Sequence, residues 1–248
     1  MENYLLFGYS RAPKYNYIPP SFKKLNTQLG NIKAEGQRRA HFKLSYKKRD
    51  LAQQIIDCYG KIGFLFIAKD YIQQENSLRN YTHEPHYHLY NFIYDTKAFL
   101  DAVSVLLNDH YSLGRSGGHI DLKHYRFRQE IIEEEPLLMN ILKKKEKWIL
   151  DVVKWRESVI HKLSIPLGYS LDHESAEKMS PQNDRPALMM PNEPIPYLIS
   201  DYSEIIKKYG SVWQPIEPFC DLWIKNACEL FDTVCETISS SLLKRASA

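Results

Sequence analysis

The chain has 248 residues, a net charge of +3, 44% hydrophobic residues and 25% charged residues, which are the values of an ordinary globular protein. Its ten glycines form neither a GxGxxG nor a GxxxxGK[ST] motif, so the usual signs of a nucleotide-binding α/β fold are missing. No apolar run approaches the roughly 20 residues of a membrane span, and the N-terminus has no basic lead, so we expect a cytoplasmic protein without membrane contact.

The N-terminal segment is the most basic part of the chain. Residues 1–50 hold eleven lysines and arginines, three acidic residues and eight aromatic residues, whereas residues 51–248 carry a net charge of −5. Basic side chains for phosphates and aromatic rings for bases are typical of nucleic-acid-binding surfaces. The alternative is a solvated arm whose rings pack on the rest of the protein. We expect RNA contacts at Lys23, Lys24, Arg38, Arg39, Lys47, Lys48 and Arg49.

Prolines and glycines divide the chain into an arm and a helical domain. They predict an irregular arm over residues 1–45, followed by a domain over residues 46–248 that contains a proline-rich loop insertion at 165–199. Apolar residues at three- and four-residue spacing predict helices over residues 47–78, 89–113 and 136–164, a short helix over 200–209, and a last helix from near Pro218. The fold class is therefore an all-α bundle of about four to five principal helices.

Three local features qualify these helices. Gly60 and Gly63 weaken the first helix and suggest a close helix contact, and Gly63–Ile67 by itself would pass for a strand. The last helix is expected to fray through Ser239–Ser241 into a basic tail. Trp148 and Trp155 lie one heptad apart in the third helix, which favours core or dimer packing over base stacking.

The four cysteines form no CxxC pair, so the sequence contains no zinc ribbon and favours no disulfide framework. Cys220, Cys228 and Cys235 are spaced eight and seven residues apart, which places them on one face of the last helix. Together with Cys58 they are expected to be buried thiols, and a catalytic thiolate is the alternative.

Other polar clusters allow several interpretations. His83, His86 and His88 are interrupted by Pro85, so we expect a polar loop and no bound metal, although imidazole is a common metal ligand. Arg126 and Arg128 lie in the connection before the third helix and are expected to guide RNA if that connection lies near the helix. The basic run over residues 143–145 predicts a solvated helix face.

The third helix ends in Trp155-Arg-Glu-Ser-Val-Ile-His161, which places an arginine and a histidine five residues apart. Histidine exchanges protons near neutral pH, and arginine stabilises charge on a phosphate, so the two side chains suffice for RNA cleavage without metal. In a regular helix, positions five apart differ by about 140° around the axis, so the pair converges only if the last turn loosens or across a dimer. Alternatively, Arg156 forms a surface ion pair and His161 stabilises the helix C-terminus.

The setting of this pair resembles the HEPN superfamily, whose all-α bundles carry an R-x4–6-H motif near the end of a long helix. The matching segments are residues 148–161 and the preceding helix over residues 94–108, and the likeness spans roughly residues 50–165. The resemblance implies a metal-independent endoribonuclease of a toxin–antitoxin or phage-defence system, without cofactor, whose homodimer lines one cleft with two pairs. It assigns the catalytic roles to Arg156 and His161, and an antitoxin or other regulatory protein would be a further partner.

One position departs from the pattern of that superfamily. Glu157 stands where Asn, Asp or His is frequent, and its carboxylate would repel phosphate unless it were paired. Asp151, upstream on the same helix, is a candidate supporting residue that would orient a basic partner. Because some members of the superfamily are inactive, the alternative function is a non-catalytic module that binds RNA, a nucleotide or a partner protein. Side chains of Arg156 and His161 that face one cleft would favour the enzyme, and divergent ones would favour the module.

Overall fold

The computed structural model describes residues 22–25, 27, 51–78, 84–161, 165, 167–169, 188–194 and 203–247. Within this part of the chain the protein is an all-α bundle, as the sequence predicts, and it also contains one small sheet. The helices are α1 (Leu51–Leu78), α2 (Glu84–His110), α3 (Tyr125–Glu134), α4 (Met139–His161), α5 (Ser203–Tyr209) and α6 (Ile216–Ser247). Single 3₁₀ turns cover Gly117–His119 and Pro136–Leu138.

The core lies between α1, α2, α4 and α6. Buried positions recur at three- and four-residue intervals on these helices, as in Phe92, Thr96, Phe99, Val103 and Leu106 of α2. Each of these helices has one apolar face. The helices are stabilised because these faces pack against one another, since an isolated helix of this length is marginal in water. Among the described residues, no helix combines the length and the apolar character that crossing a bilayer requires.

A three-stranded antiparallel sheet takes two of its strands from the segment 165–199, which was predicted as a loop. The strands are β1 (Gly168–Tyr169), β2 (Leu188–Pro191) and β3 (Trp213–Pro215), with β2 in the centre. Met189 pairs with both Gly168 and Pro215, while Leu188 and Met190 are buried against the helices. The strands are two to four residues long, which is too short for a readable alternation in the sequence.

Two helix ends differ from the prediction by five residues or more. α2 begins at Glu84, five residues before the predicted start, because Pro85 is tolerated in the first turn, where its missing N–H has no partner. α6 continues to Ser247 and does not fray at the serines. The hydroxyl of Ser240 donates to the carbonyl of Glu236 over 2.9 Å, and Ser241 also hydrogen-bonds His110 over 2.8 Å, so these serines stay within the helix.

The prediction of a close helix contact at Gly60 and Gly63 is wrong. A Cβ atom added at either position would meet no other atom within 4 Å, so neither glycine is required by packing. The sequence Gly63–Ile67 is helical and forms part of α1.

Part of the predicted arm packs on the bundle. Residues 22–25 are helical, and Leu25 is fully buried in the core. The ring of Phe22 stacks on Tyr59 with centroids 4.9 Å apart. Lys23 and Lys24 are exposed on the same turn. The alternative in which the rings of the arm pack on the domain therefore holds for Phe22. The boundary predicted at residue 45 lies outside the described residues.

Candidate functional site

The C-terminal half of α4 is held in place by aromatic packing and by one hydrogen bond. Trp155 contacts Phe219 of α6 edge to face, with ring centroids 5.9 Å apart. Beyond the helix, the backbone N–H of Ile165 donates to the hydroxyl of Tyr90 on α2 over 2.8 Å. Trp148 and Trp155 are both buried, which confirms that they pack in the core. The end of α4 therefore has a fixed position against α2 and α6.

Arg156 lies on the side of α4 that faces the core. It follows the buried residues Ile149 and Val152 at positions i+7 and i+4, so the three residues share one face of the helix. Its side chain is half-buried, and no described residue forms an ion pair or hydrogen bond with it. The expectation that Arg156 is a surface ion-pair partner of Asp151 or Glu157 does not fit this arrangement.

Arg156 differs in this respect from the other partly buried cations. Among the basic side chains that the structure describes, seven others are buried or half-buried, and each has a carboxylate or an aromatic ring beside it. They are Lys61, Lys69, Lys97, Arg115, Lys123, Arg128 and Lys145. A partly desolvated charge without a counter-charge is unfavourable, so an anion bound at Arg156 would stabilise the site. The guanidinium geometry suits a phosphate in particular.

The candidate partner of Arg156 is His161, the last residue of α4. The backbone is helical up to this residue, so the last turn does not loosen in the way that would bring the two positions together. Position 161 lies nine residues after the buried Val152, about 180° around the helix, and about 140° from position 156. It aligns with the exposed Leu150 and Lys154. The side chain of His161 lies outside the described part of the chain.

The two predicted supporting residues do not contact Arg156. Glu157 is exposed. Asp151 is half-buried, and burial raises the pKa of its carboxyl, opposed by the charges of Lys147, Lys154 and Lys208. Asp151 therefore belongs to a group of charges between α4 and α5, on the side away from Arg156.

The two basic residues predicted in the connection before α4 lie on α3, a helix that the sequence analysis missed. Arg126 is exposed, and its Nε lies 3.6 Å from Glu130. Arg128 is buried, and its guanidinium donates to the carbonyl of Leu122 over 2.6 Å and to the carboxylate of Glu146. An RNA contact at Arg128 does not fit this arrangement because its side chain is buried and donates to acceptors within the protein.

The run at residues 143–145 is not entirely solvated either. Lys145 is buried, and its Nζ donates to Asn226 Oδ1 and to Glu229 Oε2 over 2.6 Å each. This lysine ties α4 to α6. Lys143 and Lys144 are exposed as predicted. Of the predicted RNA contacts in the arm, Lys23 and Lys24 are exposed, and Arg38, Arg39, Lys47, Lys48 and Arg49 lie outside the described residues.

Two of the clustered histidines, His86 and His88, lie on α2 and not in a loop. The ring of His88 stacks on Tyr71 of α1 with centroids 4.7 Å apart, and His86 lies edge-on to Tyr90. His83 lies outside the described residues, and within the described ranges no group of His, Cys, Asp and Glu has the arrangement of a metal site.

The cysteines are buried thiols, as expected. All four are buried and unbridged. Burial raises the pKa of Cys58 and of Cys228 to about 12, and it also raises the pKa of Cys220 and of Cys235. A nucleophilic thiolate at neutral pH does not fit these environments.

Sequence reasoning missed a group of exposed aromatic rings. Phe64, Tyr71, Tyr87 and Tyr94 are all exposed, and none of them was predicted as a functional residue. The available signal was the seven-residue spacing from Phe64 to Tyr71 and from Tyr87 to Tyr94, which places each pair on one face of its helix.

Comparison with family models, with curated proteins and with solved structures finds no match to this chain.

Proposed function

We propose that this chain is an RNA-binding helical module of the HEPN type, with Arg156 as a phosphate contact and without cleavage by a single copy. The observation that carries this proposal is the half-buried guanidinium of Arg156, which has no counter-charge among the described residues. A phosphate oxygen would supply the missing acceptor. The net charge of +8 in residues 1–50 adds attraction for a polyanion that does not depend on sequence.

RNA is favoured over a mononucleotide because the basic charge extends over a long segment of sequence. A nucleotide needs one cradle for its phosphates, and the chain lacks the glycine-rich motifs that build one. A polyanion instead gains from each dispersed cation through counterion release. Lys23 and Lys24, exposed beside the buried Leu25, show that the arm can expose cations while it packs on the bundle.

The test is a titration of a fluorescein-labelled single-stranded RNA of mixed sequence, followed by anisotropy between about 50 and 200 mM salt. The wild-type protein is expected to bind with a salt-dependent Kd. Arg156→Met is expected to weaken binding and to reduce the slope of log K against log salt by about 1. Lys225→Met removes one exposed charge from α6 and is the control. Absence of RNA binding by the wild type, or equal effects of the two substitutions, would contradict the proposal.

A second candidate function is metal-independent RNA cleavage by two copies of the chain. It is favoured by the register of α4, since position 161 shares its side of the helix with the exposed Leu150 and Lys154, where another copy can approach. In that mechanism His161 removes the proton of the ribose 2′-OH, which attacks the adjacent phosphorus. Arg156 of the other copy stabilises the charge of the phosphorane, and the 5′-oxygen leaves with a proton that the His161 imidazolium returns. Fragments with 2′,3′-cyclic phosphate ends, formed by the wild type in EDTA and not by His161→Ala, would establish this function.

A further inference from the structure

Most of the exposed aromatic rings lie on one helical hairpin. Among the described residues, six aromatic side chains are classed as exposed, and four of them are on α1 and α2. These four, Phe64, Tyr71, Tyr87 and Tyr94, together with His88, are here called the aromatic ridge. Tyr71 is 46% exposed and Tyr87 is 62% exposed, although rings of this size gain considerably from burial.

The rings at one end of the aromatic ridge are already ordered by contact with one another. The ring planes of Tyr71 and His88 are 10° from parallel, with centroids 4.7 Å apart. Tyr87 meets His88 edge-on at 5.3 Å and 73°. His88 therefore contacts a tyrosine of each helix, Tyr71 face to face and Tyr87 edge to face, and joins them into one cluster. Side chains held in this way lose little conformational freedom when a further ring is added.

The other end of the aromatic ridge is open. Phe64 lies two helical turns before Tyr71, about 10.5 Å along α1, and the Nζ of Lys61 sits 5.5 Å from the centre of its ring. Gly60 and Gly63 carry no side chains beside it, and the space at their Cβ positions is empty to 4 Å. The side chain of Lys61 lies over this ring, and the two glycines leave room beside the ring for a flat group.

We infer that the aromatic ridge binds the unpaired bases of single-stranded RNA by stacking; this inference rests on the RNA binding proposed above. Bases are favoured over a protein helix because three of the four exposed rings are tyrosines with a polar end, and because His88 and Lys61 interrupt the apolar surface. Burial raises the pKa of the nearby Asp95, and the charge of Lys61 opposes this rise, so the two charges partly balance each other. The aromatic ridge therefore contributes stacking surfaces to RNA binding and little net charge. The attraction for phosphates comes from the arm and from Arg156.

The test uses the full chain and the labelled single-stranded RNA, with an abasic RNA of equal length as the second probe. Tyr71→Leu and Tyr87→Leu are each expected to weaken binding of the base-containing RNA by at least about fivefold, with an unchanged salt slope. Tyr71→Phe keeps the ring and is expected to bind within about twofold of the wild type. Tyr125→Leu, an exposed tyrosine of α3, is the matched control and should have no effect. Both leucine variants should bind abasic RNA as the wild type does.

The outcomes separate this inference from the proposed function. If Arg156→Met weakens binding but the two leucine variants match Tyr125→Leu, RNA is bound elsewhere and only the inference about the aromatic ridge is overturned. If the leucine variants weaken binding of abasic RNA to the same extent, the rings do not act through bases, which also overturns it. If the wild type binds no RNA, both fail.

Discussion

The contact between Lys145 and Glu229 fixes the helix that carries Arg156, and its removal has a predictable cost. Lys145 is buried, and Glu229 is its one carboxylate partner among the described residues, with Asn226 as a neutral second acceptor. Glu229→Ala would leave a buried ammonium with an amide oxygen alone. Removing one member of a buried ion pair costs about 3–5 kcal/mol, and since Glu229 is partly exposed and Asn226 remains, we expect about 2–3 kcal/mol. For a chain of this size, that lowers Tm by roughly 4–12 °C.

Thermal unfolding followed by circular dichroism measures this effect. Glu236→Ala replaces an exposed glutamate of the same helix and corrects for the change in helix propensity. The double variant Lys145→Met/Glu229→Ala should recover part of the loss because no buried charge remains. Equal Tm values for Glu229→Ala and Glu236→Ala would refute the reasoning.

The same pair predicts the direction of the acid response. Hydrogen bonding from Lys145, aided by Lys144 and opposed by desolvation, holds the pKa of Glu229 below its ordinary value. The resulting stability is present above the pKa of the unfolded chain and is lost as pH falls through the lowered folded value. The difference in Tm between wild type and Glu229→Ala should therefore shrink on acidification, and a constant difference would contradict the assignment.

Three further predictions concern buried or open positions. Because Cys58 and Cys228 have pKa values raised to about 12, a thiol reagent at pH 8 should label the native protein slowly and the denatured protein rapidly; rapid native labelling would contradict their burial. Arg128→Met should lower Tm by several degrees and leave the Kd for RNA unchanged, as measured by melting and anisotropy. Gly60→Ala and Gly63→Ala should each raise the urea-derived free energy of unfolding by about 0.5–1 kcal/mol, whereas a loss would indicate a close contact.

The sequence predicts the fold correctly where the buried residues recur with helical periodicity. The stripe through Trp148, Val152 and Trp155 predicts α4 and its buried face, and both tryptophans are in the core. α3 was missed because few of its ten residues are apolar and buried, Phe127 and Ile131 among them. The start of α2 was predicted too late in the sequence because Pro85 was interpreted as a break, although the first turn of a helix accepts proline.

The candidate site was less predictable because burial of a charge depends on distant partners. Lys145 belongs to a basic run that favours a solvated face, and its burial depends on Glu229, 84 residues away. Arg128 is buried by contacts with backbone carbonyls and with Glu146, 18 residues away. The spacing of Arg156 and His161 does predict their angular separation on a regular helix, and α4 is regular through His161. That Arg156 lacks a counter-charge among the described residues emerges only from the folded structure.

The most direct test of RNA binding through Arg156 is a gel-shift experiment in EDTA in which the same samples are also run under denaturing conditions. The native gel reports binding of a single-stranded RNA by the wild type and by Arg156→Met, and the denaturing gel reports whether that RNA is intact. We predict that the wild type shifts the RNA, that Arg156→Met shifts it only at higher protein concentration, and that both leave it at full length. An unshifted RNA, or fragments formed by the wild type alone, would contradict a phosphate-binding module that does not cleave.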